Sequence, residues 1–551
     1  MKTNKVKLFL FCIMFGIGQI TTSYAGKEVG VVVHRPEEGD TNFGHAVDIS
    51  GKTFIASYTS YVGDHGGVYI FAQKAKKWDV INHFKTPDGK ARDWFGWDVA
   101  IDGDIAVIGA YEDGGRKVVA GGPLGEGPGA VYAYRRQGKG FGKKTQLKAN
   151  DAADKDRFGF AVDVSGNTLI VGAPNDDDAG SDSGSAYVYI LDGDKWKKQT
   201  KLVATDAAAK QWFGWDVAID GNTIVVGAPL DKEKGRNAGA AYIFVREGVE
   251  WKQQAKLVAT DGDSNDKFGN AVDISQDSVV IGTPKDEEKG KDTGAAYVFL
   301  QSGDNWTEEQ KLLPSTSEVK GMFGHAVAIA DDMAVVGAPF EDGVDVDAGA
   351  AYTFLRRGGE WVETKKVASQ KLKKGEDEDL TTGDNFGNAI AVDKRVAAAR
   401  LAGQLFVAIG SRWDNVAGNN DRGSVYVYNA EADLGMPLSV DLTSDLLITK
   451  LGHIKWTVLL QNFPNPFNPE TWFPYTLAED STVTFLVHDM NGRLVRQLEF
   501  GQVRAGSYLD TETAAYWDGI SQSGERVSSG VYYYTLQSET HTETRKMILL
   551  K

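Results

Sequence analysis

The sequence predicts an all-β protein, a seven-bladed β-propeller followed by a small β-sandwich. A Phe-Gly pair recurs seven times, at Phe43-Gly44, Phe95-Gly96, Phe158-Gly159, Phe213-Gly214, Phe268-Gly269, Phe323-Gly324 and Phe386-Gly387, and four consecutive pairs stand 55 residues apart. Each pair opens a unit of several short strands, and a period of this length describes small sheets that bury their apolar faces only against their neighbours. After Tyr428 the repeat stops and the strand grammar changes, which marks a second domain.

One unit shows how the blade is built. Phe213 to Asp220 alternates apolar and polar side chains, and Gly221-Asn222 turns the chain into Thr223 to Pro229, a hairpin signal. The second strand is almost continuously apolar, as a strand covered on both faces should be. Gly227 and Ala228 remove bulk where sheets crowd together, and Pro229 ends the strand. Strands at Gly239 to Phe244 and Trp251 to Val258 complete four. The last unit lacks a Trp-led fourth strand after Tyr428, so Gly30 to His34 is expected to fill that place and close the ring, removing exposed edges.

The recurring Phe-Gly and Gly-Ala-Pro elements, as at Val171-Gly-Ala-Pro174 and Val336-Gly-Ala-Pro339, resemble the FG-GAP repeats of integrin α-subunit propellers and their bacterial relatives, over about Phe43 to Tyr428. In the integrin-type repeat a calcium loop lies between these two elements. Here that stretch holds only Asp220-Gly221-Asn222, too few oxygens for an ion that takes six to eight, so calcium is not carried over to it.

Carboxylates gather instead after Gly-Ala-Pro: Asp176 and Asp178 with Asp182, Asp286 with Asp292, and Asp342 with Asp345 and Asp347. Two readings stand, turn geometry with solvation or a site for a hard cation such as Ca2+, and no cofactor is required by either. A second acidic run, Asp151 to Asp156 or Asp261 to Asp266, precedes some Phe-Gly pairs and is a candidate to face the first.

Met1 to Ala25 reads as a secretory signal, with a basic start, an apolar core from Leu8 and Ser23-Tyr24-Ala25 as the cleavage site. Removing it, with Lys2, Lys5 and Lys7, shifts the net charge from −16 to −19 and takes away the one cysteine, Cys12. A chain this acidic is not expected to bind nucleic acid, and the mature protein is expected to have neither disulfides nor a transmembrane anchor.

A linker, 431–460, leads to a C-terminal domain at 461–551. Its opening packs Pro464, Pro466 and Pro469 into one extended stretch, and alternating strands follow at Thr482 to His488 and Val531 to Leu536. With Asp489-Met-Asn-Gly-Arg493, Trp517-Asp-Gly519 and Arg545-Lys-Met547, this segment resembles the sorting domain of type IX secretion substrates, related to the immunoglobulin-like domain of flagellar hook-capping proteins. The resemblance implies an immunoglobulin-like sandwich, recognition by outer-membrane secretion machinery, and delivery to the cell surface or medium.

No catalytic constellation is recognisable. The eight histidines form no metal-spaced pair, and His45 and His325, which follow their Phe-Gly pairs, read as structural. The expectation is a non-enzymatic, secreted or cell-surface binding or adhesion protein for an extracellular protein or glycan. Alternatives are a secreted propeller lyase or hydrolase, with the insertions near Arg116 to Gly127 and Arg395 to Gln404 as the places to look, or a structural surface-layer component.

Overall fold

The computed structural model describes residues 31–34, 42–59, 66–74, 77–86, 93–114, 127–316, 318–342, 347–357, 359–368, 383–394, 405–412 and 423–430 of a first unit, and 458–459, 462, 470–477, 479–490, 492–508, 514–539 and 541–549 of a second. The Met1 to Ala25 segment and most of the linker lie outside them. All described regular structure is β, and among the described residues no helix is long and apolar enough to cross a membrane.

The first unit holds seven four-stranded antiparallel sheets. In the fourth, Val217–Asp220, Thr223–Ala228, Ala240–Glu247 and Glu250–Leu257 pair in chain order, as the hairpin pattern predicts. We number the sheets as blades from their inner strands: Val47–Ser50, Phe95–Asp102, Val162–Ser165, Val217–Asp220, Ala271–Ser275, Val327–Ala330 and Phe386–Val392. Each inner strand lies against the next, and that of blade 7 against that of blade 1. Blade 7 takes its outer strand from the N-terminal side, where Val31–His34 runs antiparallel to Ser424–Asn429 with Val31 opposite Val427. The ring-closing strand is therefore the expected one, and the two ends of the repeat region share one sheet.

The Phe-Gly pair is a joint between blades. Gly214 has φ +88°, and a Cβ there would stand 2.4 Å from the Ser185 carbonyl of the preceding blade. Gly172, from that blade's Gly-Ala-Pro, would put a Cβ 2.1 Å from the Gly214 carbonyl. Two backbones thus meet where neither tolerates a side chain. Phe213 donates its N–H to the Ser183 carbonyl at 3.0 Å while its ring packs edge-on against Tyr242 of its own blade, centroids 5.4 Å apart. Burying such a ring contributes about 2–3 kcal/mol, and the pattern repeats at Phe158, Phe268 and Phe323.

The second unit pairs Ser481–Asp489 with Leu494–Val503 and Gly530–Gln537, and the latter with Thr542–Leu549. Shorter sheets pair Tyr475–Leu477 with Val458–Leu459 and Gly506–Tyr508, and Thr471–Phe473 with Ala515–Trp517. Phe473, Phe485, Trp517 and Tyr534 centre its core. Leu459 is part of that core, so the packed domain begins before residue 461, within the segment expected to be linker.

Candidate functional site

The seven inner strands surround a cavity of about 380 Å3, and their sequence sets what it contains. The first residue after each Phe-Gly pair lines one end of it. Blades 2 to 4 supply Trp97, Phe160 and Trp215, and blades 5 to 7 and 1 supply Asn270, His325, Asn388 and His45. The next two layers alternate. Blades 2 and 4 place Asp98 and Asp216 second after the pair with Ala100 and Ala218 fourth, whereas blades 1, 3 and 5 place Asp48, Asp163 and Asp273 fourth with alanine second. Blades 6 and 7 have alanine at both, Ala326, Ala328, Ala389 and Ala391.

Every one of these five carboxylates bridges two blades. Asp98 accepts the N–H of Val99 at 2.9 Å and of Val162, in the next blade, at 2.7 Å. Asp216 accepts Val217 at 3.0 Å and Val272 at 2.7 Å. Asp48, Asp163 and Asp273 likewise reach Ile101, Ile219 and Ile329 at 2.6, 2.8 and 2.8 Å. Where blade 7 meets blade 1, Asn388 takes over, its Nδ2 donating to the carbonyls of Gly44 and His45 at 3.1 and 3.0 Å.

Burial works against the charge of four of these acids. It pushes Asp98 up to about 7 and Asp216 up to about 8, with the charges of Asp163 and Asp98 respectively adding to the effect, and it raises Asp48 and Asp163 as well. The alanines of blades 6 and 7 leave space for Lys394, whose Nζ lies 2.8 Å from Asp273 and 3.3 Å from Asp163. Burial alone would lower the lysine's pKa, but Asp163 and Asp273 outweigh it and hold the ammonium charged.

The Phe-Gly end is half aromatic and half polar. Ring centroids of Trp97 and Phe160 stand 5.5 Å apart, and those of Phe160 and Trp215 4.6 Å. Tyr111 supports Trp97 at 4.8 Å, and Trp212 stacks on Trp215 at 5.0 Å. On the polar side, which begins with His45 beside Trp97 at 4.7 Å between ring centroids, burial and then the charge of Arg412 push His45 down to about 3 and His325 down to about 4, so both imidazoles are neutral. The Nδ1 of each is buried without a hydrogen-bond partner. The arrangement can stack an apolar face and hydrogen-bond a polar edge.

The acidic loops lie elsewhere, and in blades 3 to 6 a lysine of the fourth strand answers them. In blade 3 Tyr187 donates to Asp176 at 2.8 Å and to Asp151 at 2.9 Å. Lys201 sits among Asp151 at 3.1 Å, Asp176 at 2.8 Å and Asp178. The second acidic run does face the first. Blade 4 repeats this with Tyr242, Lys256, Asp206, Asp231 and Glu233, and blade 5 with Tyr297, Lys311, Asp261, Asp286 and Glu288.

Of the residues expected to ligate a cation, Asp176, Asp178 and Asp286 are thus bonded to a lysine. Asp182 accepts from Asn175 at 2.8 Å, Asp292 lies 3.6 Å from Lys285, and Asp342 accepts the N–H of Asp347 at 3.0 Å. Asp182, Asp292 and Asp347 have φ of 52°, 51° and 56°, a turn geometry that Asp tolerates. Asp345 lies outside the described residues. Among the described residues no group of three or more His, Cys, Asp or Glu is placed to hold a metal ion.

Sequence reasoning noticed the position of His45 and His325 but read it as packing, whereas it faces the channel. Lys394 and Arg412 were missed because each borders a stretch outside the repeat. The insertions at 116–126 and 395–404 lie outside the described residues. The rim lysines had a signal, a Tyr-to-Lys interval of 14 residues at Tyr187/Lys201, Tyr242/Lys256, Tyr297/Lys311 and Tyr352/Lys366, set by cross-strand pairing of the third and fourth strands.

Comparison with known proteins agrees with this architecture. Segments 78–134, 141–189, 196–244, 251–299 and 306–354 match the FG-GAP repeat, each beginning in the outer strand of one blade and ending in the third strand of the next. Residues 470–542 match the FlgD Ig-like domain. A solved structure, Sqt1 from Chaetomium thermophilum, is similar at 12% identity over 79% of this chain and 94% of its own, with a TM-score of 0.38, too low to bear on the fold by itself. The chain thus carries five matched FG-GAP repeats in a propeller-type architecture and a FlgD-like Ig domain in its C-terminal part.

Proposed function

We propose that this protein is exported and binds an extracellular protein or glycan at the Phe-Gly end of its axial channel, without catalysing a reaction on it. The observation that carries the reading is the cavity, about 380 Å3 and lined by three aromatic residues facing His and Asn side chains. Ligand sites are typically concave and of 300–1,000 Å3, a range that includes this cavity. Retention of the full chain on panels of immobilised surface glycans and proteins tests it. Binding should be weakened about tenfold in Trp215→Ala, and a variant that still binds its target fully would place the site elsewhere.

The export half rests on the signal-like Met1 to Ala25 and on the resemblance of the C-terminal domain to type IX sorting domains. Truncation after Ala430 should leave a folded propeller in the periplasm, and 461–551 fused to a signal-bearing passenger should export it in a host with that system. Surface delivery of the truncated protein would reduce the domain to a spacer.

One observation favours a second reading, a propeller lyase or hydrolase: His45, His325 and Arg412 stand together at the same end of the channel. Neutral imidazoles there would hydrogen-bond a substrate oxygen while Arg412 offsets a substrate carboxylate. Incubation with acidic polysaccharides, followed by new reducing ends or unsaturated uronate absorbance, separates this from binding alone.

A further inference from the structure

Resting on the binding reading above, we infer that the ligand of the axial channel is a neutral pyranose, such as the end of an uncharged polysaccharide, and not an anionic or cationic group. The aromatic side comes first. Trp97, Phe160 and Trp215 present an arc of three rings tilted 44° from one to the next. Each is held from behind or beside, Trp97 by Tyr111 and Trp215 by the parallel ring of Trp212. Ring faces carry partial negative charge and attract polarised C–H groups, which a pyranose offers on one face while its hydroxyls project from the edge.

The opposite side suits those hydroxyls. Asn270 and Asn388 spend Nδ2 on backbone carbonyls, at 3.3 Å to His325 for the former, and each amide has an oxygen left to accept. The imidazoles of His45 and His325 are neutral, and although the ring of His325 already hydrogen-bonds the Asn388 backbone, each keeps an unpartnered Nδ1. A hydroxyl both donates and accepts, so it can meet a wall of this mixed kind, whereas a carboxylate can use only its donors.

Charge excludes the other classes. An anion would enter a channel with five aspartates, against Lys394 and Arg412. A cation would find Asp163 and Asp273 already on Lys394, and Asp98 and Asp216 each accepting two backbone N–H groups. What the channel leaves unmet is stacking area and neutral hydrogen-bonding capacity.

The test is tryptophan fluorescence and calorimetry on the full chain with three sets of probes: tetrasaccharides of glucose, mannose and galactose, galacturonate tetramer, and trilysine. A neutral tetrasaccharide should bind and perturb the fluorescence. Trp215→Ala should weaken it about tenfold, the loss of one stacked ring, and Trp215→Phe should keep most of the affinity. If galacturonate or trilysine binds instead and is lost in Trp215→Ala, the channel is a binding site but the neutral-sugar inference is overturned. Neutral binding that is indifferent to Trp97→Ala and Trp215→Ala overturns the axial site itself, and no binding of any probe overturns the inference.

Discussion

The axis and the rim of the first unit are both rich in carboxylates, yet they are balanced in opposite ways. At the rim of blades 3 to 6 the balance is local: Asp206, Asp231 and Glu233 share Lys256, the same set recurs at Lys201 and Lys311, and Lys366 bonds Glu341, whereas blades 1 and 2 carry His83 and Gln146 at the lysine position. The cation is written into the repeat. On the axis, Asp48, Asp98, Asp163, Asp216 and Asp273 come from five blades, and Lys394, which pairs with Asp163 and Asp273, comes from a sixth, just past the inner strand of blade 7. The Phe-Gly joint, which recurs in all seven units, serves folding, and the residue that follows it varies on the axis, where His45, Trp97 and Asn270 occupy one repeat position with three chemistries.

Breaking the ring is expected to have the largest effect, since both regions depend on closure. Deleting residues 27–35 removes the strand that pairs with Ser424–Asn429. Several kcal/mol lost, at about 2–4 °C each, should lower the melting temperature by roughly 10 °C. An unchanged calorimetric transition would mean that another segment completes blade 7.

Next comes Lys394→Met. It leaves Asp163 and Asp273 without their shared ammonium, and removing one partner of a buried pair costs about 3–5 kcal/mol. The lower end is expected, because 30% of the lysine side chain is open to the channel. Lys256→Met should cost somewhat less, about 2 kcal/mol, because Tyr242 and Gln211 still bond Asp231. Urea unfolding of both variants checks the order.

The smallest effect should be that of metal removal. With lysines among the rim carboxylates, chelator should move the wild-type melting temperature by no more than about 2 °C, whereas calcium added to Lys256→Ala should raise that variant's. A large chelator-dependent fall in the wild type would show that the loops at Asp176, Asp286 or Asp342 hold a cation.

This contrast also separates what the sequence could tell from what it could not. Phe213-Gly214, Gly227-Ala228 and Gly239 were legible because their role is local and steric: a backbone approach that any Cβ would block. The closing strand was legible by default, as the missing member of a counted set. The axial site was not, because it joins residues from all seven blades, and a single chain gives no measure of which repeat position faces the centre. The alternation of Asp48, Asp163 and Asp273 with Asp98 and Asp216 is visible in the sequence once the axis is known, but Lys394 has no counterpart in other units to flag it.

The most direct test of collective against local balance is the melting temperature of Lys394→Met and Lys256→Met, each against wild type, from pH 5 to pH 8. The axial acids titrate high when folded, Asp98 at about 7 and Asp216 at about 8, above their unfolded value of about 3.9. Their stability is present at low pH and lost as pH rises through those values. Burial raises Asp48 and Asp163 too, and the charge of Lys394 opposes this, so removing Lys394 raises those two carboxyls further and its deficit should grow toward pH 8. Asp206 is instead held below its ordinary value; burial opposes this, and the hydrogen bond from Lys256 outweighs it. Its contribution is lost only as pH falls below about 4, so the Lys256→Met deficit should stay flat over the same range. Equal pH slopes for the two variants would contradict the account, since the axial charges would then be no more coupled than those of a single blade.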